Sequence, residues 1–213
     1  MYDSLAKSQN NCVFLQGKPA KEMYQDLLKY YPGFPIEGVN FVDILPLMQD
    51  QQTFRRLIPE LGRLVESPNV AAPEARGFLF AAPMLIACDH ITNIIPFRKK
   101  GKLPHAEGDL VAIDITKEYG KDQIFFRLSD VAAGEPEGDT FYVTFFDDIL
   151  ATGGTARGIA EGLEQNIVVK DGREYRIKVS DFVFLVELDD LNGREQIADI
   201  APVKSLIHIA GTD

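Results

Sequence analysis

The sequence predicts an α/β fold with an open, mostly parallel sheet that is flanked by helices. The length of 213 residues suits one α/β domain or at most two small ones. After Val65 the chain alternates strand-like and helix-like runs, as a parallel sheet with crossover helices requires. Two runs, Phe141–Phe146 and Phe182–Val186, are almost continuously apolar, which is typical of strands buried on both faces. Ligands in such folds bind beyond the carboxyl ends of the strands.

Helical spacing of apolar residues predicts four helical segments. The first runs from Ala20 to Tyr31. The second follows Asp50, and Pro59 within it leaves open one kinked helix or two short ones. Phe78–Asp89 and Gly154–Gln165 complete the set.

Strands are predicted where β-branched and aromatic residues cluster between turn signals. The predicted strands are Val70–Ala72, Ile91–Phe97, Leu110–Ile115, Gln123–Leu128, Thr140–Phe146, Val179–Leu188 and Val203–Ile209. Residues Ile167–Asp181 have the pattern of an inserted hairpin around Asp171-Gly172.

The charge balance argues against nucleic acid and anionic membranes as partners of the whole molecule. The formal net charge is −10, from 32 acidic and 22 basic residues, and such a surface repels polyanions. One local exception is a basic cluster that could bind an anion. Its members are Arg98, Lys99, Lys100 and Lys102.

The cysteines and the apolar runs predict a cytoplasmic protein. Cys12 and Cys88 form neither a disulfide framework nor a CxxC motif. The N-terminal residues lack the pattern of a signal peptide, and no apolar run approaches the ~20 residues that span a bilayer. The three histidines show no metal-ligand spacing.

The segment from Phe141 to Leu163 carries the clearest chemical pattern in the chain. A buried strand ends in two carboxylates, Asp147 and Asp148, and a tight turn at Thr152–Thr155 then opens a helix. Glycines allow several backbone N–H groups to point at one spot, and the helix N-terminus adds its dipole. With the two threonine hydroxyls, the turn can form a pocket for a phosphate monoester.

The two carboxylates call for a different part of the same ligand, because they would repel a phosphate. A ribose diol offers O–H donors to side chains that only accept, so the pattern indicates a ribose 5-phosphate. The alternative is that the acids and threonines merely cap a helix; the apolar strand before them and the helix after them favour binding. The motifs GxGxxG and GxxxxGK[ST] are absent, which argues against a nicotinamide cofactor and a nucleoside-triphosphate hydrolase.

This segment resembles the motif that binds phosphoribosyl pyrophosphate (PRPP) in type I phosphoribosyltransferases. Further stretches narrow the resemblance to the adenine phosphoribosyltransferase family, and they occur in the family's order over most of the chain after Phe34. They are FPIEGVNFVDILPLMQD (Phe34–Asp50), EARGFLFAAP (Glu74–Pro83), RKKGKLP (Arg98–Pro104), KEYGK (Lys117–Lys121) and LVELDDLNGRE (Leu185–Glu195).

The resemblance implies a type I phosphoribosyltransferase fold with a small hood region, and it implies roles for particular residues. Asp147 and Asp148 match acids that hold the ribose hydroxyls. The residues that match the 5-phosphate loop are Ala151, Thr152, Gly153, Gly154 and Thr155. The pyrophosphate loop of the family is matched by Ala75, Arg76 and Gly77. In the family, a cis peptide often stands just before the arginine of this loop.

The remaining matches concern the pyrophosphate and the base. Basic residues around the pyrophosphate are matched by Arg98, Lys99 and Lys102. Phe41 and Ile149 match the two sides of the slot that sandwiches the base, and Glu118 matches the acid near the imidazole edge of the purine. Glu118 and Arg76 are the implied catalytic residues.

The implied reaction transfers the 5-phosphoribosyl group from PRPP to adenine, giving AMP and pyrophosphate. Mg²⁺ is the implied cofactor, carried by the pyrophosphate oxygens rather than by a protein metal site, and a homodimer is the implied assembly. The implied organisation is a single domain over residues 1–213, with an N-terminal extension and helix at 1–33 and a flexible lid at about 104–117.

Two departures from the family pattern leave alternatives open. Val42 stands where the family often has a basic residue, and Asn40 stands where an apolar residue is common. A phosphoribosyltransferase for a 6-oxopurine (hypoxanthine, guanine or xanthine) is therefore the first alternative. A non-catalytic regulator that senses PRPP or nucleotides is the second, and a binding module that retains the motif as a relic is the third.

Overall fold

The computed structural model describes residues 14–15, 18–35, 37, 39–117 and 120–210. The chain divides into two compact units, Met1–Phe54 and Arg55–Asp213. The predicted single domain over residues 1–213 stays a prediction. Within the described residues, no helix has both the length and the apolar character that crossing a membrane requires.

The first unit contains short strands and helices. In chain order these are β1 (Phe14–Leu15), β2 (Lys18–Pro19), α1 (Ala20–Leu27), β3 (Lys29–Pro32), β4 (Asn40–Asp43) and α2 (Pro46–Gln49). The strands pair antiparallel, β1 with β2 and β3 with β4. The predicted helix over Ala20–Tyr31 is wrong beyond Leu27, because the backbone of Tyr30 and Tyr31 pairs with Val42 and Phe41 instead.

The second unit contains the main sheet. Its elements are β5 (Asn69–Pro73), α4 (Arg76–Ala87), β6 (Asn93–Lys99), β7 (Leu110–Lys117), β8 (Gly120–Arg127), α5 (Leu128–Ala132), β9 (Thr140–Leu150), α6 (Gly154–Glu164), β10 (Ile167–Lys170), β11 (Arg173–Leu188), a 3₁₀ turn (Asp189–Leu191) and β12 (Val203–Ile209). The helix α3 (Gln51–Gly62) precedes them and contains Pro59 in its interior, so the predicted second helical segment is one helix.

The eight-stranded sheet has the order β10-β11-β9-β5-β6-β8-β7, and β12 also pairs with β11. The pairs of β9 with β11, β9 with β5, β5 with β6 and β11 with β12 are parallel. The remaining pairs are antiparallel: β10 with β11 at one end of the order, and β6 with β8 and β8 with β7 at the other. The predicted open, mostly parallel sheet flanked by helices is therefore confirmed.

The antiparallel pairing of β10 with β11 confirms the predicted hairpin around Asp171-Gly172, and both residues have positive φ. The strand predicted from Val179 begins earlier, at Arg173, because its first residues pair with β10. Residues 110–117 of the predicted lid form β7, which pairs along its length with β8. The mobility of the lid stays a prediction.

Aromatic side chains fill the centre of the sheet, where strands are buried on both faces. Phe145 on β9 lies 5.8 Å from Phe182 and 5.9 Å from Phe184 on β11, between ring centroids. Complete burial of one such side chain contributes about 2 kcal/mol. The apolar face of α6 packs onto this layer through Ile159 and Leu163, both fully buried. This rigid centre holds the strand ends at which the site lies.

Candidate active site

A cavity of about 170 Å³ opens where β5 and β9 separate at their carboxyl ends. The two strands pair only from Asn69↔Val143 to Ala71↔Phe145. Beyond that point β5 ends at Pro73 and the chain turns into α4, while β9 continues to Leu150 beside β11. The lining residues are Pro73, Glu74, Ala75, Arg76, Lys99, Ile115, Asp122, Gln123, Ile124, Asp147, Asp148 and Thr155. Parallel sheets bind ligands at this kind of position.

The acid pair Asp147 and Asp148 lies inside β9 rather than after it, because the strand runs four residues beyond the predicted end at Phe146. The Asp148 N–H donates to Asp147 Oδ1 at 2.8 Å. Burial, with the adjacent charge of Asp148, raises the pKa of Asp147 well above its ordinary value, although Arg76 opposes the shift. Carboxyl oxygens accept hydrogen bonds from hydroxyl groups, so the pair suits a diol.

Arg76 is the first residue of α4 and joins the acid pair to the turn after β5. Its Nε lies 2.8 Å from Oδ2 of Asp148, whose side chain is only 5% exposed. The next residue, Gly77, brings α4 close to β9: a Cβ there would lie 3.4 Å from Asp147 Oδ1. A cis peptide joins Glu74 and Ala75 in the same turn, one bond before the peptide of the arginine. The turn therefore places one guanidinium directly against the acids.

Glu74 connects this turn to the basic cluster at the end of β6. Its carboxylate accepts from Arg98 Nε at 2.7 Å and from the Lys99 N–H at 3.0 Å. Burial by itself raises the pKa of Glu74, but these two bonds and the two positive charges lower it overall. Among the predicted basic residues, Lys99 lines the cavity. Arg98 instead donates to Glu74 and to the carbonyl of the exposed Lys102.

The turn after β9 forms a second, smaller cavity of about 90 Å³. Its lining residues are Asp147, Ile149, Leu150, Ala151, Thr152, Gly153, Gly154, Thr155, Ala156 and Phe184. Gly153 has φ +81°, a left-handed conformation that glycine adopts without strain. It is the N-cap residue of α6, and no side chain caps this helix end. The capping interpretation of the motif is therefore wrong, and the cavity lies at a helix N-terminus, a position that favours anions.

Two further parts of the predicted site stay predictions. Phe41 belongs to the first unit, where its ring packs edge-on against Phe34 with centroids 5.3 Å apart. Its partnership with Ile149 across a base slot stays a prediction. Glu118, the predicted acid near the purine, lies outside the described residues.

Some residues of the main cavity were not predicted from the sequence. Ile115, Asp122, Gln123 and Ile124 reach it from the β7–β8 hairpin, and Gln123 Nε2 donates to Asp114 at 2.8 Å. The only local signal for Asp122 is that it follows the segment KEYGK directly. Glu74 begins the segment EARGF, but its role as an acceptor for Arg98 depends on the pairing of β5 with β6.

Comparison with known proteins extends these observations to the whole chain. None of the protein-family models matches it. The adenine phosphoribosyltransferase of Clostridium acetobutylicum is 36% identical over 178 residues, which cover 82% of this chain and 92% of that protein. The chain belongs to the adenine phosphoribosyltransferase family.

Solved adenine phosphoribosyltransferase structures share the fold. The enzyme from Thermoanaerobacter pseudethanolicus has a TM-score of 0.73 and 33% identity, covering 88% of this chain and 99% of that one. The enzyme from Saccharomyces cerevisiae, solved with adenine and an imino-altritol bisphosphate, has a TM-score of 0.70 and 31% identity over 88% and 98% of the two chains. The predicted type I phosphoribosyltransferase fold is confirmed by this likeness.

Proposed function

We propose that this protein transfers the 5-phosphoribosyl group from PRPP to adenine, producing AMP and pyrophosphate. The observation that carries the proposal is the meeting of an acid pair, a glycine turn at a helix N-terminus and an arginine around neighbouring cavities. PRPP has a diol, a 5-phosphate and a pyrophosphate in the same molecule. Each group thus has a partner of matching chemistry.

The ribose 5-phosphate half of PRPP binds to β9 and the turn after it. Asp147 and Asp148 hold the ribose hydroxyls, because carboxyl oxygens accept hydrogen bonds from a diol. The 5-phosphate sits on the turn before α6, where backbone N–H groups and the helix dipole favour an anion. The residues of this phosphate loop are Ala151, Thr152, Gly153, Gly154 and Thr155.

The pyrophosphate half binds to the turn at Ala75, Arg76 and Gly77, with Lys99 in the cavity wall. Arg98 and Lys102 add positive charge beside it. Asp122 also lines this cavity, and a carboxylate is the kind of hard oxygen donor that Mg²⁺ prefers. Mg²⁺ bound with the pyrophosphate would neutralise negative charge on the leaving group.

The reaction is a displacement at the anomeric carbon. A bond forms between an imidazole nitrogen of the purine and C1′, the C1′–O bond breaks, and the electron pair leaves with pyrophosphate. Arg76 stabilises the charge that develops on this leaving group. Glu118 receives the proton that the base nitrogen loses, and Phe41 and Ile149 hold the ring in position. No covalent enzyme intermediate is required.

A base panel tests the proposal. Pyrophosphate release is measured from PRPP and Mg²⁺ with adenine, hypoxanthine, guanine or xanthine, and a reaction without base measures hydrolysis. We expect release with adenine alone, and AMP as the chromatographed product. Release with a 6-oxopurine instead would assign a different acceptor, which is the alternative that Asn40 and Val42 raise. PRPP binding without release from any base would indicate a sensor.

The proposal includes a homodimer that uses the exposed face of α4. Leu79, Leu85 and Ile86 on this helix are 43%, 39% and 86% exposed, more apolar surface than one short helix normally presents to water. We expect Ile86→Asp to produce a monomer in sedimentation equilibrium. Val169→Asp is the matched control, since Val169 is 63% exposed on β10, and it should leave the dimer intact. A monomeric wild type would contradict the proposed dimer.

The proposal also places the protein in the cytoplasm. Cys88 is buried and free, which suits a reducing compartment. Cell fractionation checks this, and recovery with secreted proteins would contradict it.

A further inference from the structure

A turn segment far along the chain lies against the back of the phosphate loop. This backing turn, Asn192–Asp199, follows the 3₁₀ turn after β11. At its start, a Cβ added to Gly193 would lie well inside 3.0 Å of the Ala151 carbonyl oxygen. A Cβ on Gly153 would lie 2.7 Å from the Gly193 carbonyl oxygen and 3.2 Å from Gln196 Cβ. The two segments thus touch through their backbones.

An ion pair between the partly exposed Arg194 and the buried Glu187 holds the start of the backing turn. Arg194 donates from Nε to Glu187 Oε1 at 2.8 Å, from Nη2 to Glu187 Oε2 at 2.5 Å and from Nη1 to the Val203 carbonyl at 2.6 Å. Ser205 also donates to Glu187, at 2.5 Å. Paired donors in this fork geometry fix orientation as well as distance. The backing turn is therefore anchored to the ends of two neighbouring strands.

The charge of Glu187 is maintained although the residue is only 4% exposed. Burial alone raises its pKa, but the bonds from Arg194 and Ser205, with the charges of Arg194 and His208, lower the pKa overall. The ion pair consequently persists at neutral pH.

A second connection joins the backing turn to α6, the helix that the phosphate loop opens. Arg157 Nη1 donates to the Gln196 carbonyl at 2.5 Å, and its two terminal nitrogens lie 2.9 Å and 3.0 Å from the carboxylate oxygens of Asp199. Between these contacts, Ile197 is fully buried in the core. The backing turn therefore contacts the phosphate loop at its first residue, Ala151, and contacts α6 at Arg157, just after the last residue of the loop.

We propose that the backing turn sets the position of the phosphate loop, and that Gly193 is a positioning residue for the 5-phosphate of PRPP. This inference rests on the proposed function. The Ala151–Thr152 peptide is planar, so its carbonyl and the N–H of Thr152 point in opposite directions and move together. Any atom that pushes the Ala151 carbonyl from behind tilts that N–H away from its phosphate-facing direction.

The substitution Gly193→Ala tests the inference. The added Cβ meets backbone rather than a flexible side chain, so the loop itself has to shift. We expect the KM for PRPP and the Kd for ribose 5-phosphate, measured by calorimetry, to rise about tenfold, as weakening one hydrogen bond to a charged group produces. The KM for adenine at saturating PRPP should stay within about twofold, and kcat within about threefold.

Gly134→Ala is the matched control. A Cβ at Gly134 would lie well inside 3.0 Å of Asn69 Oδ1, in the turn after α5 and not in the phosphate loop. We expect it to lower Tm but to leave the KM for PRPP unchanged. A purely structural role of Gly193 predicts the same behaviour for both variants, so the comparison of KM values separates the two roles.

Arg194→Lys provides a second variant if Gly193→Ala does not fold. Lysine keeps the charge but loses the fork, so the KM for PRPP should rise, and Arg194→Met should raise it further. One outcome overturns only the inference about the backing turn. In it, the wild type releases pyrophosphate, and the folded variants keep the wild-type KM for PRPP and Kd for ribose 5-phosphate. A wild type that binds ribose 5-phosphate but releases no pyrophosphate contradicts the proposed function, and the Kd comparison then decides the inference. A wild type that neither binds ribose 5-phosphate nor releases pyrophosphate contradicts both the proposed function and the inference.

Discussion

Neighbouring residues of one strand have different environments at the site. Asp148 is buried against the Arg76 guanidinium at 2.8 Å, whereas Asp147 contacts the Asp148 N–H and lies 3.4 Å from the position of a Cβ on Gly77. The charge of Asp148 is thus neutralised by an arginine, and the pKa of Asp147 is raised by burial and by Asp148. The two neighbouring carboxyls therefore differ in electrostatic environment, and the proposed binding of ribose hydroxyls depends on both of them.

The substitution Asp148→Asn tests this difference at the residue scale. Asparagine keeps the shape but removes the charge that holds Arg76, so PRPP loses both an acceptor and the placement of a guanidinium. A hydrogen bond to a charged group contributes about 1.5–3 kcal/mol, so we expect the KM for PRPP to rise roughly 10- to 100-fold. Steady-state kinetics measures it.

Asp139→Asn is the control for this experiment, because Asp139 is exposed just before the opposite end of the same strand. It should leave the KM for PRPP unchanged, and the circular dichroism of both variants should match that of the wild type. An unchanged KM in a folded Asp148→Asn variant would contradict the assigned role of the acid pair.

At the scale of elements, the β10–β11 hairpin shows how a two-residue turn determines register. Asp171 has φ +51° and Gly172 has φ +75°, the left-handed values that a two-residue hairpin turn needs. The turn pairs Lys170 with Arg173 and so fixes which residues of β11 face inward, including Ile177 and Val179. One dipeptide thereby orients the start of a 16-residue strand.

The substitution Gly172→Ala tests the importance of that turn. No atom lies within 4 Å of an added Cβ, so the effect is purely conformational, and we expect a loss of about 1–2 kcal/mol in the free energy of unfolding by urea. Gly158→Ala is the control. Gly158 lies inside α6, and its added Cβ would be in ordinary contact with Ile115 at 3.5 Å. This variant should therefore gain up to about 1 kcal/mol in the free energy of unfolding. If Gly172→Ala and Gly158→Ala change the free energy of unfolding equally, the left-handed conformation of Gly172 is not what stabilises the hairpin.

At the scale of the whole second unit, one lysine joins residues distant in sequence. Lys204 Nζ lies 2.8 Å from the Leu64 carbonyl, 2.6 Å from Glu66 and 3.1 Å from Asp181. Asp181 is fully buried and also accepts from Thr144 at 2.5 Å. The network joins β9, β11 and β12 to the segment before β5, and it neutralises a carboxylate inside the sheet.

Lys204→Met tests this network. The substitution leaves Asp181 buried without its cation, and we expect the free energy of unfolding to fall by about 3 kcal/mol. Lys178→Met, an exposed change on β11, should stay within about 0.5 kcal/mol of the wild type. Adding Asp181→Asn to Lys204→Met should recover part of the loss. If Lys204→Met and Lys178→Met unfold alike, the ion pair has no net role in stability.

Prediction from sequence succeeded where the signal is local. The segment Phe141–Leu163 contains strand, acids, turn and helix in continuous order, so its geometry follows from neighbouring residues. Prediction failed where tertiary pairing overrides propensity. Tyr30 and Tyr31 continue the helical spacing of α1, yet their backbones pair with β4, and β9 extends past Phe146 because β11 continues beside it.

The sequence alone determined the fold class, because strand-like and helix-like runs alternate along the chain. It also located the acid pair and the glycine turn before α6, because each occupies one short stretch. Only the tertiary structure decided that Glu74 holds Arg98, that Asp122 enters the cavity wall and that Gly193 backs the Ala151 carbonyl. These contacts join residues from different strands and turns. Their geometry depends on which strands pair and in what register, and that information is a property of the whole sheet rather than of any single segment.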